Sequence, residues 1–226
     1  MPDTPVRLAL FDCDGTLVDS HANICRAMEQ AFAGNGITAP SPEAIRGIVG
    51  LSLVEAVAVL APGADAAFHH AVADDYKAAF QRMRADGALE AEPLYHGLVE
   101  ALDRLAADDW VLGVATGKSD RGLAHVLAHH GLTDRFVTLQ TADRHPSKPH
   151  PSMIRACMEQ VGSTPDRTVM IGDTSYDMEM ACAAGVRAIG VTWGYHDEAL
   201  LRAAGAEAIV HRYADLCDAM KAEVTA

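Results

Sequence analysis

Val6-Arg7-Leu8-Ala9-Leu10-Phe11-Asp12-Cys13-Asp14-Gly15-Thr16 is an apolar run that stops at two aspartates and a glycine. A short apolar run ending abruptly in polar residues reads as a buried strand whose carboxyl end reaches the protein's rim. The same shape returns along the chain. Val111–Ala115 ends at Thr116-Gly117-Lys118, Phe136–Leu139 runs into a polar loop, and Thr168–Ile171 ends at Gly172-Asp173. Ala188–Val191 ends at Thr192-Trp193, and Ala208–Val210 reads as an edge strand. Helical patterns lie between them at His96–Ala107, Asp120–His130, Ser152–Val161, Ser175–Ala184, Glu198–Ala204 and Tyr213–Ala222. Strands alternating with helices of this length predict an α/β fold, a Rossmann-like parallel sheet with helices on both faces.

The alternation breaks once, over residues 18–91. His21–Ala33 places Ile24, Met28, Ala31 and Phe32 on one helical face and stops at Gly34 and Gly36. Leu53–Ala61 and Ala64–Ala85 also read as helices, the second with Phe68, Val72, Tyr76, Ala79 and Met83 along one side. The expected organisation is a core of residues 1–17 and 92–226 carrying an inserted helical-bundle cap, residues 18–91, with Pro93 and Gly97 marking the return to the sheet.

Composition narrows the function. Half of the 226 residues are hydrophobic, and 18 basic against 31 acidic residues leave a formal charge of −13. Such a chain is poorly suited to nucleic acid or an anionic membrane surface, because neutralising phosphates takes Lys and Arg. A small anionic substrate needs only one locally positive pocket. The five cysteines form no CxxC pair, so they read as reduced thiols of a cytoplasmic protein, monomer or homodimer. The first residues carry no signal-peptide pattern, and no apolar run approaches the roughly 20 residues that span a bilayer.

In an open parallel sheet, ligands bind outside the carboxyl ends of the strands. Asp12 and Asp14 follow the first strand, Thr116 the second, and Asp173 and Asp177 a later one; Lys148 sits in the loop Pro146-Ser147-Lys148-Pro149. Crowded carboxylates repel unless a cation joins them, and Mg²⁺ takes carboxylates together with phosphate and water. Thr116 and the Gly117 amide precede a helix start, a ready anion site. In that setting Asp12 suits attack on phosphorus, and Asp14 suits protonating the leaving group and then activating water.

Asp12-Cys13-Asp14-Gly15-Thr16-Leu17-Val18-Asp19-Ser20 resembles the DxDGT signature of the haloacid dehalogenase superfamily, in its phosphatase branch. Val114–Lys118 resembles the second motif of that family, Lys148 the third, and Gly172–Asp177 the fourth, in order and over essentially the whole chain. Asp177 through Val186 and Gly190 through Tyr195 are similar to its phosphoglycolate phosphatase-like members. The resemblance implies a cap inserted after the first motif. It also implies Mg²⁺ held by Asp12 and Asp173 through side chains and by Asp14 through its carbonyl, with Asp177 acting through water or from behind the direct ligands. It implies hydrolysis of a small phosphate monoester through an aspartyl-phosphate, with 2-phosphoglycolate first and pyrophosphate or sugar phosphates behind it. Asp14 disfavours the dehalogenase and phosphonate-hydrolase branches, and Ile24 stands where related mutases usually carry His. A catalytically silent binding protein is the reading from another class; the retained Asp12, Asp14 and Asp173 argue against it.

Each residue also has a plainer reading. Thr116 can cap a helix, Lys148 can be a solvated lysine, and Asp177 can be a favourable charge in a first turn. Strand alternation turns Cys13 away from Asp12 and Asp14 into the core. His69-His70 and His129-His130 lack metal-ligand spacing, His145 and His150 flank Lys148, and Trp193 and Tyr195 read as rim or packing residues. In the cap, Arg46, Gly50, Leu51 and Ser52 read as a loop facing the site, with Arg46 a candidate for a bidentate grip on a substrate carboxylate.

Overall fold

The computed structural model describes residues 6–221. Its strands are β1 (Val6–Phe11), β2 (Trp110–Thr116), β3 (Thr138–Thr141), β4 (Ser163–Gly172), β5 (Arg187–Val191) and β6 (Ala208–Val210). They form one parallel sheet in the order β3-β2-β1-β4-β5-β6. The chain steps outward from β1 to β3, then returns to the other side of β1 for β4, β5 and β6. That reversal opens a crevice between the carboxyl ends of β1 and β4, where Asp12 and Asp173 stand.

Both faces of the sheet are covered, which is why β1 is apolar from Leu8 to Phe11 rather than alternating. Ala9 and Phe11 pack with α5 (Leu98–Ala107), α6 (Asp120–His129) and α10 (Leu216–Lys221), whereas Leu8 and Leu10 pack with α7 (Ser152–Val161), α8 (Ser175–Ala184) and α9 (Glu198–Ala203). Leu8 to Phe11 have no exposed surface.

Three boundaries differ from expectation. β3 begins two residues late, because buried Phe136 packs edge-on against Phe11 instead of extending the strand. The strand itself carries buried Thr138, Gln140 and Thr141, polar residues that hide it from a hydropathy reading. β4 begins earlier, at Ser163. The last expected helix divides into a 3₁₀ turn, Tyr213–Asp215, and α10; Ala222 lies outside the described residues.

Between β1 and α5 lie α1 (His21–Gly34), α2 (Pro42–Arg46), α3 (Leu53–Leu60) and α4 (Ala66–Ala85). They share their own hydrophobic cluster, including Ile24, Met28, Phe32, Ile45, Val57 and Val72, and Tyr195 of the sheet layer joins it. The two connections run side by side, with Asp19 N–H donating to the Pro93 carbonyl (3.0 Å) and Tyr95 N–H to that of Leu17 (3.1 Å). Helix α2 corrects the loop expected around Arg46. Ser41 caps it by accepting from Ala44 N–H (3.2 Å) and Pro42 opens it, but five residues are too few to show a period. Among the described residues no helix is long and apolar enough to cross a membrane.

Candidate active site

Asp12, the first residue after β1, is fully buried. One carboxylate oxygen is held: Oδ1 accepts from Cys13 N–H (2.6 Å) and lies 3.0 Å from Lys148 Nζ. The other, Oδ2, is buried without a hydrogen-bond partner. Burial pushes Asp12 up to about 6; Lys148 opposes that rise, and Asp177 and Asp14 add to it.

Asp173 follows β4, and both of its oxygens are held. Oδ1 accepts from Thr16 Oγ1 (2.7 Å) and Oδ2 from Tyr195 N–H (2.8 Å). Burial, then Asp177 and Asp12, raise it well above the ordinary carboxylate range. Gly15 turns beneath it with φ of 83°, and a Cβ there would stand 2.2 Å from Asp173 Oδ2, so both conformation and space call for glycine. Asp177 serves two ends. Its Oδ2 accepts from Thr174 N–H (3.1 Å) and Oγ1 (2.7 Å) in a capping box that starts α8, while Oδ1 accepts from Lys148 Nζ (2.6 Å). Lys148 is therefore no surface lysine: it is 1% exposed between Asp12 and Asp177. Burial disfavours its charge, but the two carboxylates outweigh burial and raise its pKa above the usual lysine value.

Asp14 is reached by residues for which no catalytic role is read from the sequence. Lys118 Nζ lies 2.6 and 2.9 Å from its two oxygens, and Ser20 Oγ donates to Oδ1 (2.5 Å). The Tyr195 hydroxyl lies 3.2 Å from Ser20 Oγ. Tyr195 thus touches Asp173 through its amide and Asp14 through Ser20. Lys118 had a visible signal, a cation directly after Thr116-Gly117. Ser20 and Tyr195 had none, because 175 residues separate them.

A cavity of about 520 Å³ lies between the sheet rim and the helical layer, with Asp12, Asp14, Thr116, Gly117, Lys118 and Ser52 in its lining. Thr116 ends β2 and accepts from Lys118 N–H (3.2 Å); the cap of α6 is Ser119, whose Oγ accepts from Gly122 N–H (3.2 Å). A Cβ on Gly117 would come within 2.6 Å of the Gly50 and Leu51 carbonyls, so the α2–α3 connection rests directly on this glycine. Ser52 N–H donates to Ser147 Oγ (2.7 Å), tying the same connection to the Lys148 loop. Arg46 does not line the cavity. Its guanidinium donates to the Tyr195 carbonyl (2.9 Å) and the Gly194 carbonyl and lies 5.5 Å from the Tyr195 ring centre. This corrects the expectation that Arg46 faces a substrate: as the last residue of α2, it points along the layer boundary and grips the sheet domain. His145 bonds Ser152 at the start of α7 and Gln140 of β3, the elements that flank its loop, and His150 is exposed. Cys13 packs in the core, where burial pushes its thiol well up.

One oxygen from each of Asp12, Asp173 and Asp177 lies within 4.8 Å of the others. Three buried carboxylates face one buried ammonium, and Asp12 Oδ2 has no partner. An oxygen-only donor set with surplus negative charge fits a hard divalent cation.

The chain matches the model of the haloacid dehalogenase-like hydrolases over residues 9–191. It is 35% identical over 220 residues to a protein of Dickeya dadantii named probable phosphatase IndB, covering 95% of this chain and 94% of that one. It is 32% identical over 223 residues to the phosphoglycolate phosphatase of Chromobacterium violaceum, covering 96% and 97%. Among solved structures it resembles a predicted phosphatase from Clostridium acetobutylicum, with a TM-score of 0.85, 26% identity, and coverage of 96% and 99%.

Proposed function

The chain belongs to the haloacid dehalogenase-like hydrolases, and we propose that it is a Mg²⁺-dependent phosphatase of organic phosphate monoesters that uses Asp12 as its nucleophile. The observation that carries this reading is the asymmetry of Asp12: one oxygen is fixed by Cys13 N–H and Lys148, and the other is buried beside the cavity with no partner. A fixed carboxylate with one free oxygen is prepared for in-line attack.

Asp12, Asp173 and the Asp14 carbonyl would hold Mg²⁺, with Asp177 behind them. The ion, when bound, supplies charge neutralisation at the phosphoryl oxygens. Thr116 and the Gly117 amide bind those oxygens, and Lys148 holds Asp12 in line. Asp12 forms a bond to phosphorus as the ester P–O bond breaks, and Asp14 gives its proton to the departing alcohol oxygen. A water then attacks the aspartyl-phosphate, Asp14 takes its proton, and phosphate leaves Asp12 free. Lys118 and Ser20 orient Asp14. Helices α1–α4, in residues 18–91, act as a cap that excludes bulk water.

The relatives' names make 2-phosphoglycolate the first substrate to assay. Phosphate release that EDTA abolishes and Mg²⁺ restores is expected. Asp12→Asn is expected to lose at least about 10⁴-fold of the rate while keeping the wild-type circular dichroism. A folded Asp12→Asn protein that retains turnover rules out the nucleophile.

A further inference from the structure

The cavity has room for an ester larger than 2-phosphoglycolate, and part of its lining is apolar. Asp12, Asp14 and Thr116 form its floor at the sheet rim, with Lys118, Glu92 and Arg121 adding further charge to the lining. Above that floor the lining comes from the helical layer, including Met28 of α1, Ile48, and Tyr76 and Phe80 of α4. Water against such a wall is unfavourable, and an apolar ligand surface removes that cost.

The wall has a direction. Tyr76, Phe80 and Arg84 are successive fourth residues of α4 and so follow one another along one helical face. The two rings are half-buried, with centres 5.2 Å apart and planes inclined at 54°. Arg84 lines the same cavity, and its Nε is buried without a hydrogen-bond partner. Two aromatic rings followed by a guanidinium whose Nε has no partner form a surface for a flat ring with acceptor atoms on its edge. Arg46, the cation expected to hold a substrate carboxylate, is engaged by the Gly194 and Tyr195 carbonyls.

We propose that the preferred substrate is a phosphate monoester whose alcohol carries a flat heteroaromatic ring, with a nucleoside 5′-monophosphate as the matching size. This rests on the phosphatase reading above and names its substrate class. The phosphate sits on the rim at Asp12 and Thr116. The ring lies against Tyr76 and Phe80, with its polar edge toward Arg84.

The test compares kcat/KM for the four ribonucleoside 5′-monophosphates with that for 2-phosphoglycolate and glycerol 3-phosphate, all with Mg²⁺. At least one nucleotide is expected to exceed both compact esters by about 100-fold. In Phe80→Leu, and separately in Tyr76→Leu, the ratio of nucleotide to glycerol 3-phosphate kcat/KM is expected to fall about tenfold, chiefly through the nucleotide KM. If the compact esters are cleaved as well as every nucleotide, or if both activities fall in parallel in the variants, the substrate class is overturned and the phosphatase reading stands. If a folded, Mg²⁺-loaded enzyme releases phosphate from none of the six, both readings fall.

Discussion

The sheet rim, which reaches the cavity through Asp12, Asp14 and Thr116, and the helical wall that also lines it are built on opposite principles. The rim is charged and tightly bonded: Asp12, Asp173, Asp177 and Lys148 are almost fully buried, and of their carboxylate oxygens only Asp12 Oδ2 lacks a partner. The wall is apolar, with Tyr76, Phe80 and Ile48 setting its shape through packing and few directional bonds. Charges taken from water tolerate little displacement, because each unpaired one is costly. Apolar walls tolerate change, because side chains of similar volume replace one another at small cost. On the proposed function, the rim is the region that fixes the reaction, and the wall is the region free to select the alcohol.

The sharpest way to break this comparison is to remove the rim's only buried cation. Lys148→Met leaves Asp12 and Asp177 facing each other, so metal-free stability in urea should fall by about 3–5 kcal/mol. The Mg²⁺-dependent rate should fall by roughly 10²–10³-fold. A variant as stable and active as wild type would mean that the rim is not organised by charge pairing.

A smaller effect is expected where the two regions are joined. Arg46 reaches from α2 to the carbonyls of Gly194 and Tyr195, and Tyr195 N–H holds Asp173. Arg46→Met should lower kcat/KM by about 10–100-fold and raise the Mg²⁺ concentration needed for half-maximal rate. Arg46→Lys should recover only part of this, since one ammonium does not span both carbonyls as the guanidinium does. An unchanged Mg²⁺ requirement would separate the helical layer from the metal carboxylates.

The smallest effect sharpens the electrostatic half of the comparison. Asp12 titrates near about 6 in the folded metal-free protein against an ordinary value of 3.8, and Asp173 shifts in the same direction. Through that window the folded state holds protons that the unfolded state has lost. Metal-free stability is therefore fully present below about 4 and declines as pH rises through about 6. Saturating Mg²⁺ favours the ionised carboxylates and should flatten the slope. Urea midpoints at several pH values, with and without Mg²⁺, measure it; a metal-free protein that gains stability across this window contradicts the rim as described.

Much of the frame was legible because it rests on local pattern. The run Val6–Phe11 had to be a strand covered on both faces, and its stop at Asp12 located the rim. Asp173 and Thr116 were legible the same way, as the ends of later strands. The misreadings lie where pattern is weak. Strand β3 carries buried polar residues in place of an apolar run, and α2 is too short for a period. The direction of Arg46 was not in its own neighbourhood at all, because its partners lie about 150 residues away.

By itself the sequence determined the sheet, the inserted helices and the identity of the rim carboxylates, since hydrophobic periodicity and turn residues act over a few positions. Only the tertiary structure decided what surrounds those carboxylates. Lys118 on Asp14, Tyr195 between Asp14 and Asp173, and Arg46 on the Tyr195 carbonyl are contacts between segments far apart in the chain, and so is the shared cavity that Asp12 and the α4 aromatics line. Such contacts depend on how whole layers dock, and no short-range pattern specifies the distance between two side chains that meet only after docking.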